Sequence, residues 1–157
     1  MIKTYNPDFK ADIVEKLKRQ HFMKLMNMKL TKIEEGYIEG WIDVEEIHKQ
    51  QKGFVHGGVI ATMADVVAGF AAVSLVHKEN NVVTAEIKIS YFNPGLGDKL
   101  FAKGWVIKQG KKLHFCEAEV YSEQNGTLNL IAKASTTMAT ILPEDIVKAK
   151  GKNNNLV

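Results

Sequence analysis

The sequence predicts an α+β domain in which one long helix is wrapped by an antiparallel sheet of five to six strands, with an extra helix at the N-terminus. Three observations carry this. Residues 58–77, GVIATMADVVAGFAAVSLVH, are apolar nearly all round and dense in alanine and glycine, as a buried helix is. Four extended segments follow it with no further helical period. A helix without a polar face must be covered, and one long sheet covers it only by wrapping around it.

The elements follow in order. Asn6-Pro7 reads as a helix start, because asparagine caps and proline suits the first helical position. Phe9, Ile13 and Leu17, with Val14 beside them, continue an apolar stripe to about Phe22, so residues 1–25 form a helical extension. Residues 26–142 hold the main domain. Its first part, Met26 to about Val44, is extended and broken at Glu35-Gly36, a hairpin pattern. Residues 45–55 form a polar loop that leads into the long helix. Val82–Phe92 alternates, with Val83, Ala85, Ile87, Ile89 and Tyr91 on one side and Thr84, Glu86, Lys88 and Ser90 on the other. Asn93-Pro94-Gly95 ends that strand. Lys99–Gln109 and Leu113–Ser122 flank a hairpin loop at Gly110-Lys111-Lys112, and Asn125-Gly126 marks the turn into a last strand, Leu128–Ile141. Residues 143–157 read as a flexible, frayed tail. A lone copy leaves sheet edges and a small-residue helix surface open, which points to a homo-oligomer.

Composition narrows the class. With 45% hydrophobic and 25% charged residues, the 157-residue chain matches a soluble globular domain. A net charge of +3 from scattered lysines gives no nucleic-acid surface. Cys116 is the lone cysteine, so no internal disulfide forms, and a reducing, cytoplasmic setting is expected. The polar start lacks the apolar core of a signal peptide. From Val59 to Val76 the sole charge is Asp65, near the middle of the run, where a membrane-spanning segment tolerates an acid poorly. His114 and Cys116 share a strand face, but no second ligand pair accompanies them, so no metal is expected.

His56-Gly57-Gly58, then Asp65 seven residues after the second glycine, then an apolar helix and the strand TAEIKISYFNP form a constellation. Together with the KQGK hairpin at residues 108–111, it resembles the hotdog-fold acyl-CoA thioesterases, in particular the PaaI type associated with phenylacetic acid degradation. The match extends from about Glu46 to Ile141. The resemblance implies that the Gly57 N–H binds the thioester carbonyl oxygen, that Asp65 serves as general base or nucleophile, and that His56 holds or polarises the substrate. It also implies roles for Gln50, standing where the family usually has a shorter Asn, and for Thr84. By alternation alone Thr84 falls on the polar side of its strand. No metal or organic cofactor is implied, since coenzyme A enters as part of the substrate. The family commonly pairs two dimers back to back, a homotetramer.

Elementary chemistry is compatible with these roles. A helix N-terminus offers unpaired N–H groups and partial positive charge, and Gly57 and Gly58 leave that backbone open to a ligand. Lys108, Lys111 and Lys112 are candidates to meet the phosphates of coenzyme A. Eight residues separate Gly57 from Asp65, about 12 Å along a helix, too far for both to reach one thioester. Two antiparallel copies of the helix would bring Asp65 of one beside Gly57 of the other. Two other functions fit the same frame. A hotdog hydratase or dehydratase would need a histidine five residues after the acid, where this chain has Phe70. A non-catalytic acyl-CoA binder would need the same pocket as the enzyme.

Overall fold

The computed structural model describes residues 2–153. Its N-terminal part holds α1 (Phe9–Leu17), α2 (His21–Leu25), β1 (Lys29–Glu34), β2 (Tyr37–Asp43) and a short 3-10 turn at Glu46–His48. The long helix α3 (Gly57–Val73) follows, then β3 (Asn81–Tyr91), β4 (Lys99–Gln109), β5 (Leu113–Gln124), β6 (Thr127–Ile141) and α4 (Pro143–Asn153). The six strands form one antiparallel sheet in the order β1-β2-β4-β5-β6-β3. After β2 the chain therefore crosses the sheet through α3 and returns at the far edge as β3. No described helix is long and apolar enough to cross a membrane.

Small residues set how close α3 lies to the sheet. A Cβ added at Gly104 on β4 would sit 2.6 Å from the Val67 carbonyl carbon and 2.7 Å from the Ala68 nitrogen. Ala102 on β4, Ala118 on β5 and Ala132 and Ala134 on β6 are buried on the same side of the sheet as Gly104, and Ala64, Ala68 and Ala71 are buried on the helix. Ile38, Ile42, Met63, Leu100 and Met138, all fully buried, complete the core. Backbone thus meets backbone at the centre, and larger side chains fill the space around it.

The helix stops four residues before the apolar run does. The buried Ser74 hydroxyl donates to the Ala71 carbonyl and accepts the Gly36 N–H, both at 2.7 Å. This ties the end of α3 to the β1–β2 turn, where Gly36 has φ +68°. Leu75 and Val76 stay buried without being helical, which explains why the pattern reads on to His77.

Three local expectations are corrected. The Asn6 side chain does receive a backbone N–H, that of Asp8 at 3.1 Å, but the helix proper starts at Phe9. The stripe foreseen up to Phe22 breaks at the polar residues Lys18–Gln20 and resumes as the separate α2. After Leu142 the chain is helical to Asn153 instead of frayed, with Glu144 and Asp145 favourably placed at the positive end of α4; residues 154–157 lie outside the described residues.

The correction that matters for function is on β3. Thr84 pairs with Met138 and Glu86 with Thr137, so Ala85 is an inserted bulge. The extra residue shifts the side-chain phase. Thr84 then shares the helix-facing side with Ile87, Ile89 and Tyr91, whose partners Thr136, Ala134 and Ala132 point inward as Met138 does. Strict alternation placed Thr84 with Glu86 and Lys88; one bulge reverses that.

Gly104→Ala should lower stability by about 2–3 kcal/mol, a melting-temperature drop of roughly 5–10 °C, because its methyl meets helix backbone that cannot turn aside. Thermal unfolding by circular dichroism measures it, and a drop of only a degree would contradict the close approach.

Candidate active site

The site begins at the first turn of α3. His56 adopts an extended backbone conformation and caps the helix, its Nδ1 accepting the Gly58 N–H at 2.9 Å. With Nδ1 accepting, the neutral ring carries its proton on Nε2, and the exposed imidazole has a donor to offer. The His56 backbone N–H is held in turn by the carbonyl of the buried His48 at 2.8 Å. Gly57 is the first residue of the helix, so its N–H has no intrahelical acceptor, and no partner faces it among the described residues. The Tyr91 hydroxyl donates to the Gly57 carbonyl at 3.0 Å, tying this turn to the end of β3.

Gln50 and Gly57 line one cleft of about 380 Å³, together with Tyr91 and Asn93. Gln50 is fixed by its loop. Its N–H donates to the Phe54 carbonyl, its carbonyl accepts the Gly53 N–H (both 2.8 Å), and its Oε1 accepts the Lys52 N–H at 3.2 Å. The positive φ of Gly53, +80°, makes that tight turn accessible.

Asp65 lies two turns further along α3 and is half-buried, not sealed in the core. The Thr84 hydroxyl donates to its Oδ1 at 2.6 Å, a contact the bulge at Ala85 makes feasible. Its Oδ2 has no partner among the described residues. Asp65 and Thr84 open into a larger cleft of about 520 Å³ between the N-terminal helices, α3 and β3. Within one chain, then, the acid and the glycine amide face different clefts. The helix surface that runs from Gly58 through Ala61 and Thr62 to Val66 and Gly69 is exposed or half-exposed, as is the free edge of β3.

The other candidates are scattered. Lys108, Lys111 and Lys112 are exposed on the β4–β5 hairpin, and none lines the cleft of Gly57 or of Asp65. Lys111 borders a separate hollow beyond the end of α3, with His77 and His114. Burial pushes the Cys116 thiol up to about 12, so it is no nucleophile at neutral pH. Two participants escaped the sequence reading. Tyr91 enters the sequence analysis on the apolar side of its strand and in the YFNP motif but with no role of its own, although a phenol at the end of an alternating strand is a usable signal. The α1–α2 wall of the Asp65 cleft left no signal, since nothing local says where an amphipathic helix docks.

The fold thus carries a free amide at one helix tip and, two turns on, a hydroxyl-bound acid, groups of the kind that acyl-transfer chemistry uses. Comparison with known proteins gives the family. The family model described as Thioesterase superfamily matches residues 52–129. A Saccharolobus solfataricus protein named "Putative esterase" is 31% identical over 127 residues, 81% of this chain and 82% of that protein. Human acyl-coenzyme A thioesterase 13 is 33% identical over 88 residues, 54% of this chain and 61% of the relative. A thioesterase family protein from Silicibacter pomeroyi superposes with TM-score 0.84 at 27% identity, covering 85% of this chain and 98% of that one. The Escherichia coli PaaI protein shares the fold, with TM-score 0.77 at 20% identity over 85% of this chain and 94% of its own. The chain belongs to the thioesterase superfamily, a family of thioester hydrolases.

His56→Ala should cost about 1 kcal/mol of stability by uncapping α3, and His56→Asn should recover most of it. Equal melting temperatures for wild type and His56→Ala would show that the cap carries no weight.

Proposed function

We propose that the protein hydrolyses acyl-CoA thioesters, working as a homodimer or a dimer of dimers, with each site built from two chains. The observation that carries this reading is the separation, within one chain, of the Gly57 amide from the Asp65–Thr84 pair: different clefts, eight residues or about 12 Å apart along α3. An attacking oxygen and an oxyanion donor must each lie about 3 Å from the reacting group. A second copy, laid antiparallel against the uncovered α3 surface and the free β3 edge, would bring one chain's acid to the other's amide.

In this mechanism the thioester oxygen accepts the Gly57 N–H at the positive end of α3, which draws charge from the carbonyl carbon. Thr84 holds Oδ1 of Asp65 and leaves Oδ2 to take a proton from water. Hydroxide adds to the carbonyl carbon, the oxyanion sits on the amide, and collapse breaks the C–S bond. The products are the free acid and coenzyme A, whose thiolate takes up the proton. Alternatively the carboxylate attacks directly and water opens the resulting anhydride; both routes give the same products. His56, with its proton on Nε2, lines the hollow beside Gly58 and is a second donor for the bound thioester, and Gln50 borders the Gly57 cleft. Phe70, which lines the Asp65 cleft, carries no proton-transferring group at the position where a hydratase would need its histidine.

The reading is tested by thiol release from a panel of acyl-CoAs. Wild type should turn over, and Asp65→Asn, which keeps the Thr84 contact but cannot take a proton, should lose at least about 100-fold in kcat while still binding acyl-CoA. Tight binding without turnover by wild type would replace the enzyme by an acyl-CoA binding protein.

A further inference from the structure

The cleft over Asp65 has a wall that lies outside the 52–129 stretch matched by the family model. α1, α2 and the segment between them supply it, and they give it an uneven character. Phe22 and Met23 from α2 face Phe70 and Val73 of α3 to make an apolar lining, whereas Lys16 and Arg19 bring two positive charges. The two cations are not equivalent. Lys16 Nζ lies 2.5 Å from Asp12 Oδ2 one helical turn away, so its charge is already matched. Arg19 has no carboxylate within ion-pair distance among the described residues; Glu15, one turn back and paired with Lys18, feels its charge only from further off, and the Arg19 side chain is exposed at the edge of the cleft. Its position is set by backbone. The Arg19 N–H bonds to the Lys16 carbonyl as α1 ends, and its own carbonyl accepts the His21 N–H as α2 begins. A guanidinium is always charged, and its planar fork matches carboxylate and phosphate oxygens.

We infer that Arg19 is the anion-recognising residue of the Asp65 cleft, so that the favoured substrate is a thioester with an apolar body and an anionic group reaching the cleft edge. The inference rests on the thioesterase reading and deepens it. That anion has two chemical sources, a carboxylate at the far end of the acyl chain or a phosphate of coenzyme A, and both present the same oxygens to the same fork. Arg19 touches no reacting atom, so its loss acts on KM and leaves the pH profile of kcat in place.

Four thioesters separate the cases: an alkanoyl and an ω-carboxyalkanoyl group of equal length, each carried on coenzyme A and on phosphate-free pantetheine. Arg19→Gln, at an exposed position, is compared with wild type on all four. If the acyl carboxylate is the ligand, kcat/KM falls about tenfold relative to alkanoyl pantetheine for both ω-carboxyl substrates. If a coenzyme A phosphate is the ligand, the same relative loss falls on both coenzyme A thioesters instead. Arg19→Lys should restore part of either loss. An unchanged ratio across the four, or an equal loss on all of them, overturns the inference while leaving the enzyme intact. No thiol release by wild type from any of the four would remove the thioesterase reading and this inference with it.

Discussion

The fold rests on the close approach of α3 to the middle of the sheet. At Gly104 the strand backbone and the helix backbone are separated by less than a side chain, and alanines on both surfaces extend that contact. Helices normally pack through their side chains, at a distance those side chains set. Here the sheet and the helix meet almost directly, so α3 has little freedom to tilt or slide. Its two chemically marked points, the free amide at Gly57 and the carboxylate at Asp65, inherit that rigidity. Each is then pinned from β3, Gly57 through the Tyr91 hydroxyl and Asp65 through Thr84. A site held by a helix and a strand is positioned more precisely than one held by loops.

Much of this was legible beforehand, for identifiable reasons. The long helix announced itself because seventeen uncharged residues around Asp65 have no other soluble use. The hairpins at Glu35-Gly36 and Asn125-Gly126 were readable because turns with positive φ demand particular residues, and Gly36, Asn125 and Gly126 all adopt it. The side of the sheet that Thr84 faces was not readable. Alternation assumes an uninterrupted ladder, and Ala85 gives no local sign that it is an insertion; its partner strand decides that. The end of α3 at Val73 was hidden for a similar reason, because Ser74 is held by Gly36, thirty-eight residues earlier. Sequence patterns show what a segment buries. They do not show which distant group completes its hydrogen bonds.

The same distinction separates the two halves of the proposed site. His56, Gly57 and Gln50 form a locally determined unit, made by a cap, a first turn and the loop before it. Asp65 and Thr84 form a unit that exists only once β3 has paired with β6 and its bulge has turned the threonine inward. One chain keeps Gly57 and Gln50 on one cleft of about 380 Å³, the His56 ring on a neighbouring hollow beside Gly58, and Asp65 and Thr84 on a cleft of about 520 Å³. It also leaves uncovered the helix surface that joins them.

The central claim is that these units work only across two chains, and mixing two crippled chains tests it directly. Gly57→Pro removes the amide while suiting the first helical position, and Asp65→Ala removes the acid. Each homodimer should be inactive. After unfolding and refolding together in equal amounts, half the dimers carry both variants and one intact site each, so about a quarter of wild-type activity should return. Verified heterodimers with no more activity than their parents would place both groups in one chain's site and refute the account.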